Sequence, residues 1–182
     1  MWYGAAMPKS IPKKAYASVG TSIAPIAVTP IGRIHSPHRE RFGTPHQAIL
    51  QADAQQRPQE RAQVELFADH VPEETLADLA GFDYVWIIAW LHLNQGFRAK
   101  VAPPRDPDHP RGLFATRAPH RPNPIGLSAA RVLEVHGHVV ELERVDLLDG
   151  TPVLDLKPYV PYADAFPNAK AGWLDALPTP RN

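Results

Sequence analysis

Residues 117–128 of this chain, RAPHRPNPIGLS, combine rigidity with side chains that bind anions and form hydrogen bonds. Each of the three prolines fixes its own φ, lacks a backbone N–H and disfavours helical geometry in the residue before it. The segment is therefore predicted to be a stiff, extended loop. Two interpretations stay open: a connection stiffened for packing, or a rigid surface aimed at a ligand. Its polar side chains are those of Arg117, His120, Arg121 and Asn123.

Two further places carry groups suited to a polar ligand. The segment DLLDGTP, residues 146–152, contains two carboxylates, Asp146 and Asp149, the second beside a glycine. Because Asp-Gly is also typical of tight hairpins, a purely structural turn is the competing interpretation. His92 follows a long apolar run. It is either a core imidazole with one hydrogen bond or part of a site.

Positive charge is concentrated in one part of the chain. The whole sequence has 19 basic and 19 acidic residues, so net charge gives no argument for a polyanionic partner. Between residues 98 and 121, however, six cations accompany only two acids. Four prolines in residues 98–112 predict an irregular loop there, either a solvated charged surface or a surface that binds anions. The six cations are Arg98, Lys100, Arg105, Arg111, Arg117 and Arg121.

Several kinds of chemistry lack their usual sequence support. The chain has no cysteine, which excludes disulfides and thiolate sites and fits a reducing compartment. Its glycines are too widely spaced for a dinucleotide fingerprint or a P-loop, and no G-x-S-x-G elbow occurs. No apolar stretch is long enough to cross a bilayer. His35, His38 and His46 lack an accompanying acidic cluster, so no metal site is predicted.

The elements that must position these groups are mostly strands. Six segments alternate or concentrate apolar and β-branched residues, as strands do. These segments are 25–35, 62–68, 82–94, 128–135, 138–148 and 151–160. The third is expected to be buried on both faces, because it contains almost nothing polar. The last three, separated by His-Gly and Asp-Gly, predict a three-stranded antiparallel meander, and a short helix is predicted at 72–82.

Hairpins and proline-rich loops leave no place for the helices that parallel strands need between them. The expected fold class is therefore all-β, a mostly antiparallel β-barrel whose closure leaves no exposed strand edge. The barrel domain is expected to span residues 25–165, with an N-terminal extension at 1–24 and a C-terminal tail at 166–182. Polar residues interrupt the apolar part of the extension, which is not expected to be a signal peptide.

Four segments resemble the signature blocks of the TsaA/TrmO-like family. They occur in the family's order, span nearly all of residues 25–165, and include one match of seventeen residues. The four are PIGRIHSPHRERFGTPHQ at 30–47, FDYVWIIAWLH at 82–92, GLFATRAPHRPNPIGLS at 112–128 and DLLDGTPVLDLKPYVPYAD at 146–164. Two positions depart from the family pattern: Ala118 replaces a serine, and residues 48–50 read Ala-Ile-Leu where Pro-Gly-Leu is common.

The resemblance implies a small, distorted antiparallel β-barrel with one or two short helices that binds S-adenosyl-L-methionine and works as a cytoplasmic homodimer. The activity it implies is N6-methylation of threonylcarbamoyladenosine at position 37, beside the anticodon of certain tRNAs. The alternative is a non-catalytic barrel that binds S-adenosylmethionine or RNA as a sensor or adaptor. No metal and no membrane are expected to take part.

The same resemblance implies a set of site residues. Arg117 would hold an anionic group, Asp146 or Asp149 would accept ribose hydroxyls, and Leu127 with Leu154 would enclose the base. The residues expected to bind the cofactor are His92, Leu93, Arg117, Leu127, Asp146, Leu148, Asp149, Gly150, Thr151 and Pro152. Those expected to meet tRNA phosphates are Arg98, Lys100, Arg105, Arg111 and Arg121. Candidates for orienting the target base or accepting its proton are Asn123, Asp155 and Tyr159.

Overall fold

The structure is a computed structural model that describes residues 25–40 and 60–178. The predicted N-terminal extension at 1–24, His46 and the departure from the family pattern at 48–50 lie outside the described residues. The strands are β1 Gly32–His35, β2 Arg61–Leu66, β3 Tyr84–Trp90, β4 Lys100–Val101, β5 Arg111–Gly112, β6 Ile125–His136, β7 Val139–Glu143 and β8 Pro152–Pro158.

Six of these strands close into an antiparallel barrel in the order β1-β2-β7-β6-β3-β8, and β4 pairs with β5 in a separate two-stranded ribbon. The single α-helix of the described residues, α1, is one turn long, Pro161–Asp164. The predicted fold class, an all-β antiparallel barrel with few short helices, is confirmed. Closure gives every barrel strand two hydrogen-bonded neighbours, which is why the short β1 survives as part of the wall.

Aliphatic side chains fill the barrel interior. In β3, Val85, Ile87 and Ala89 have no exposed surface, whereas Trp86 and Ile88 are half-buried on the outer face. The prediction that this strand is buried on both faces is therefore wrong. A closed barrel has one interior, so only alternate residues of a strand can point into it. Other side chains with no exposed surface are Ile34, Val64, Val140, Leu142 and Val153.

The helix predicted at 72–82 is instead two short 3-10 helices, Glu73–Leu76 and Leu79–Gly81. Asp78, between them, has a φ of 65°, which is left-handed and ends any right-handed helix at that point. Neither 3-10 helix has a side-chain cap at its first turn. Two further 3-10 helices, Leu113–Ala115 and Gly172–Ala176, lie near the predicted site loops and in the C-terminal segment.

The predicted three-stranded meander is half correct. β6 and β7 form a hairpin around Gly137, whose φ is 54°. β8, however, pairs with β3 and β1 and not with β7. The chain leaves β7 at Arg144 in a left-handed conformation, φ 60°, and crosses to the far side of the barrel before the turn at Gly150. The prediction of a β7–β8 hairpin is therefore wrong, because an Asp-Gly pair indicates a reversal of direction but not the neighbouring strand.

Three connections emerge from one end of the barrel, the loop end. Because all neighbouring strands are antiparallel, β1, β3 and β7 end where β2, β6 and β8 begin. The described parts of these connections are residues 36–40 with Glu60, residues 91–124 and residues 144–151. The opposite end is formed by residues 67–83, the 137–138 turn and the residues directly after β8. The topology therefore brings the proline-rich loop and the DLLDGTP segment to the same end of the molecule.

Candidate functional site at the loop end

The DLLDGTP segment is held against the end of β1 by a set of hydrogen bonds. Asp149 N donates to His38 O at 2.7 Å, and Gly150 N donates to Ile34 O at 2.8 Å. The Asp149 Oδ1 atom accepts from Ser36 N at 3.1 Å. Asp149 keeps 40% of its side chain exposed. A fixed backbone and an exposed carboxylate allow this side chain to accept hydrogen bonds from a ligand.

Asp146 joins the same segment to β6. Ser128, which is buried, donates from Oγ to Asp146 Oδ1 at 2.5 Å. Ser36 Oγ donates to Leu147 O at 2.8 Å, and the buried Thr151 donates its N–H to Leu148 O at 3.1 Å. These bonds connect the ends of β1, β6 and β7. Asp146 and Thr151 therefore have an internal positioning role, beside half-buried Leu148 and Pro152.

Close packing brings the proline-rich loop to the same place. Leu91 N donates to Pro124 O at 2.7 Å, directly before β6 begins. A Cβ added to Gly126 would lie 3.0 Å from the Leu91 side chain and 3.7 Å from that of Leu147. The exit of β3, the start of β6 and the DLLDGTP segment therefore meet at the position of one glycine. Three separate sequence blocks thus form one surface.

His92 and Leu93 lie in the turn that follows β3, and both are exposed. The interpretation of His92 as a core imidazole is therefore wrong. Leu127 is 52% exposed on the outer face of β6, opposite Ile88. An apolar slot for a ligand would accordingly lie against the outside of the barrel, since the interior is filled with aliphatic side chains.

Residues 98–121, named the basic loop, carry six cations that differ in their bonding partners. Arg117 is exposed and makes no hydrogen bond or ion pair with the described residues. Arg121 donates to Thr116 O at 3.2 Å and Ala118 O at 3.4 Å and lies over the Phe114 ring. Arg121 therefore braces the loop, while Arg117 keeps its guanidinium available for an anion.

Two other cations of this loop are bound internally. Arg111 pairs with Asp106 at 2.5 Å, and Arg105 Nη2 donates to Pro178 O. Arg98 and Lys100 are exposed, and their side chains make no hydrogen bond with the described residues. The five residues predicted to meet phosphates therefore divide into two free cations and three that also hold the loop together.

The structure does not bring the three candidate catalytic residues together within one protomer. Asn123 lies at the loop end, where its carbonyl accepts from Ile125 N at 2.7 Å. Asp155 lies on the outer face of β8 and pairs with Lys157 at 2.7 Å. Tyr159 follows β8 at the opposite end, edge-on to Trp86 at 5.5 Å. Tyr159 lies seven residues after Pro152 along extended chain, a distance of roughly 23 Å.

A polar network that the sequence analysis did not assign lies beside Asp149. The Glu65 Oε2 atom is 2.7 Å from His35 Nε2 and 2.8 Å from Arg33. The hydrogen bond with His35, followed by that with Arg33, lowers the pKa of Glu65 below its usual value. His35 Nδ1 lies 4.0 Å from Asp149 Oδ1. The histidine therefore lies between the Glu65 carboxylate and the exposed aspartate, and its place in the PIGRIHSPH block was the available signal.

Within residues 25–40 and 60–178, no three His, Asp or Glu side chains are grouped as metal ligands would be. In the same part of the chain, no helix has the length and hydrophobicity of a membrane span.

The sequence profile of the family described as tRNA-methyltransferase O N-terminal domain matches residues 33–165, which run from the second residue of β1 through β8 and include the segments that meet at the loop end. The chain belongs to this family. The matched residues contain Arg117, Leu127 and Asp149 and end directly after α1.

Individual family members agree with this membership. A probable S-adenosyl-L-methionine-binding protein of Pyrococcus abyssi is 40% identical over 82% of this chain and 77% of its own length. The tRNA (adenine(37)-N6)-methyltransferase of Escherichia coli is 37% identical over 81% of this chain and 63% of its own. The crystal structure of TrmO from Pseudomonas aeruginosa superposes with a TM-score of 0.65 at 38% identity, covering 82% of this chain and 63% of that one. The chain thus spans less than two thirds of these two bacterial proteins.

Proposed function

We propose that this protein is an S-adenosylmethionine-dependent tRNA methyltransferase that methylates N6 of adenine 37. The observation that carries the proposal is the convergence of three family segments at the loop end, where Asp149, Arg117 and Leu127 remain accessible. The Escherichia coli and mouse relatives named as tRNA (adenine(37)-N6)-methyltransferases, at 37% and 40% identity, support the reaction type. The modified nucleoside we propose as substrate is threonylcarbamoyladenosine.

The groups present at the loop end match the chemistry of the cofactor. S-adenosylmethionine carries a carboxylate, ribose hydroxyls and an adenine, which require a cation, an acceptor and an apolar surface. Arg117 would bind the carboxylate, Asp149 would accept from the ribose, and exposed Leu127 with Leu93 would contact the adenine. Asp146 and Thr151 would keep the acceptor side in place through their internal bonds.

The chain's own residues would contribute to the reaction mainly by aligning the reactants. When bound, S-adenosylmethionine supplies an electrophilic methyl group. The exocyclic nitrogen of adenine is a weak nucleophile, because its lone pair is delocalised into the ring, so alignment is the main contribution that the protein makes. Asn123 at the loop end is our candidate for orienting the target base by its amide. Asp155 and Tyr159 would take part only if another copy of the chain brought them to that end.

A homodimer is the assembly we propose. The outer face of β3 and β6 carries half-buried Trp86, Ile88 and Trp90 beside Ile125 and Leu127, which are 46% and 52% exposed. Contiguous apolar surface of this kind marks interaction sites. A second copy packed there would cover apolar surface next to the loop end and supply a route for Asp155 and Tyr159 to reach it. Light scattering at micromolar concentration tests the assembly, and a monomer mass would reject it.

The partner we propose is the anticodon loop of tRNA, met in the cytoplasm. Its unpaired bases can turn out of the stack, which gives a small barrel access to the exocyclic nitrogen. Exposed Arg98 and Lys100 lie on the loop that also carries Arg117, so phosphates could be bound beside the cofactor.

The test is methyl transfer from labelled S-adenosylmethionine to tRNA, followed by mass spectrometry of the nucleosides. One tRNA carries threonylcarbamoyladenosine at position 37, and a matched transcript carries unmodified adenosine. We expect a gain of one methyl group at position 37 of the modified tRNA only. Methylation of both would reject the proposed substrate but retain the reaction type. Cofactor binding by calorimetry with no transfer to either tRNA would favour a binding protein.

A further inference from the structure

A short segment beyond the family match packs on the basic loop. Residues 171–178, named the C-terminal strap, contain the 3-10 helix Gly172–Ala176. The Asp175 carboxylate accepts from Ala171 N at 3.0 and 3.2 Å, so the strap caps its own first turn. The family profile ends at residue 165, and the contacts of the strap are therefore additions to the matched domain.

The strap makes three side-chain contacts with one loop. Trp173 Nε1 donates to Ala115 O at 2.8 Å. The Arg111 guanidinium lies 5.3 Å from the centre of the Trp173 ring, and Arg105 Nη2 donates to Pro178 O. Arg111 is fixed from its other side by Asp106. A neutral hydrogen bond, a cation–π contact and a charge-assisted hydrogen bond thus act on residues 105–115 together.

The anchor point of Trp173 lies two residues before Arg117. The connecting chain is stiff: Thr116 N and Thr116 Oγ1 both donate to Leu113 O, and Ala118 N donates to Thr116 Oγ1 at 3.3 Å. Pro119 follows directly, fixes its own φ and restricts the conformation of Ala118 before it. A restraint on the carbonyl of Ala115 is therefore transmitted to the backbone that carries the exposed guanidinium.

We propose that the C-terminal strap positions Arg117, with Trp173 as the positioning residue. The inference rests on the proposed function only in so far as Arg117 binds the carboxylate of S-adenosylmethionine. Trp173 touches neither cofactor nor substrate. It restricts the conformations of the backbone at Arg117 before the anion binds. The conformational entropy of this segment is therefore lost during folding and not on binding.

The mechanical part of the inference is tested without a ligand. Amide hydrogen exchange is followed by NMR at Leu113 and Thr116 in the wild type, Trp173→Ala and Trp173→Phe. Loss of the contact should speed exchange at both amides by about fivefold in Trp173→Ala, the equivalent of one net hydrogen bond. Trp173→Phe retains a ring over Arg111 and should recover part of the protection. Phe166→Ala, a 75% exposed aromatic residue just before the strap, is the matched control and should exchange like the wild type.

The functional part is tested by a double-mutant cycle on S-adenosylmethionine affinity, measured by calorimetry. Trp173→Ala should weaken binding about fivefold in the wild-type background, with partial recovery in Trp173→Phe. In the Arg117→Ala background the same change should have no further effect, within twofold, since the residue being positioned is gone. Equal weakening in both backgrounds would show that the strap acts generally on the structure and would overturn the inference.

The outcomes separate this inference from the proposed function. If the wild type fails to bind S-adenosylmethionine, the proposed cofactor is rejected, while the exchange data still decide whether the strap restrains the loop. If the wild type binds S-adenosylmethionine but amide exchange at Leu113 and Thr116 is unchanged in Trp173→Ala, the positioning role of the strap is rejected. The proposed function is then unaffected. Thermal melting of each variant is measured alongside. Because the hydrogen bond and the ring contact of Trp173 are made with Ala115 and Arg111 and not with a barrel strand, the melting temperature should fall by only a few degrees.

Discussion

The barrel wall and the loop end of this protein are held by different kinds of contact. In the wall, alternate residues such as Ile87 are fully buried, and every barrel strand has two hydrogen-bonded neighbours. At the loop end, order depends on a few individual bonds, among them those of Ser36, Ser128 and Trp173. Stability is therefore concentrated in the wall, and the groups able to bind a ligand are concentrated where few contacts hold them.

The same contrast occurs on a smaller scale within the basic loop. Arg111 and Arg121 bind carboxylate, carbonyl or aromatic partners inside the protein. Arg117, from the same loop, has no partner among the described residues. Charge alone does not distinguish them, but internal hydrogen bonding does. Residues that hold the loop and residues that meet a ligand should therefore respond differently to substitution.

The largest effect is expected in the wall, from Ile87→Ala. The side chain has no exposed surface, so its removal leaves a cavity and should lower the free energy of unfolding by about 2–5 kcal/mol. Urea unfolding measures this loss. Ile88→Ala, the neighbouring half-buried position, is the matched control and should cost clearly less. Equal losses of unfolding free energy at Ile87 and Ile88 would show that the barrel interior does not contribute more to stability than the outer face.

The next effect is expected at the loop end, from Arg117→Ala. Removing a charge-assisted hydrogen bond is worth about 1.5–3 kcal/mol of binding, so S-adenosylmethionine affinity should fall roughly 10- to 150-fold. The midpoint of urea unfolding should not change, because Arg117 makes no bond with the described residues. Calorimetry measures the first quantity.

Arg117→Lys sharpens this experiment. A lysine keeps the positive charge but lacks the planar fork that binds both oxygens of a carboxylate, so its affinity should lie between those of the wild type and Arg117→Ala. If Arg117→Ala or Arg117→Lys bound S-adenosylmethionine as tightly as the wild type, the carboxylate of the cofactor would not bind at Arg117. A lower free energy of unfolding in either variant would show that Arg117 also stabilises the fold, and would contradict the distinction between residues that hold the loop and residues that meet a ligand.

The wall was largely predictable from sequence. Alternation in AQVELFA and the run of β-branched residues in YVWIIAW identify β2 and β3 from local composition. The partner of β8 was not predictable in this way. Asp149-Gly150 indicates a turn, but the position of β8 between β3 and β1 follows from closure of the whole barrel. Closure depends on contacts between residues far apart in sequence, which local patterns do not contain.

The loop end was predictable in part. Clustered prolines and the Asp-Gly pair identify segments with unusual backbone requirements, and the family resemblance assigned them to one site. Which cation is bound internally was not predictable, since Arg111 and Arg117 look alike in sequence. The role of Trp173 was also missed, because a tryptophan in a segment without periodicity carries no local signal of its partner. The expected cofactor and catalytic residues remain predictions, to be tested by ligand binding.

A third prediction concerns Gly32, where β1 passes close to β2. A Cβ built at this position would lie 2.3 Å from the backbone carbonyl oxygen of Glu65, so Gly32→Ala requires movement of the backbone. Overpacking of this kind should cost about 1–3 kcal/mol of unfolding free energy. Thermal melting measures it. Gly112→Ala, where nothing lies within 4 Å of the added Cβ, is the control and should have a much smaller effect.

The smallest effect is expected in the wall itself, at Glu65 of β2, whose carboxylate contacts His35 at the end of β1. His35 and Arg33 hold the pKa of this carboxylate below its usual value of about 4.5. The unfolded chain therefore binds a proton more readily than the folded one. The stabilisation is complete above the ordinary pKa and is lost as the pH falls through the lower value in the folded protein. Between pH 6 and 3 the wild type should lose stability more steeply than Glu65→Gln.

The comparison is made by thermal melting at several pH values, with Glu73→Gln as the matched control. Glu73 is an exposed carboxylate of a 3-10 turn at the opposite end of the barrel, and its variant should follow the wild-type pH profile. Glu65 is itself half-exposed, so solvent screening keeps the difference small, and added salt should reduce it further. Identical profiles for Glu65→Gln and the wild type would mean that the His35–Glu65 contact contributes nothing to the stability of the wall. The position of Asp149 would then depend on its backbone bonds with His38 and Ile34 and on the bond from Ser36 N, with no support from the charge of Glu65.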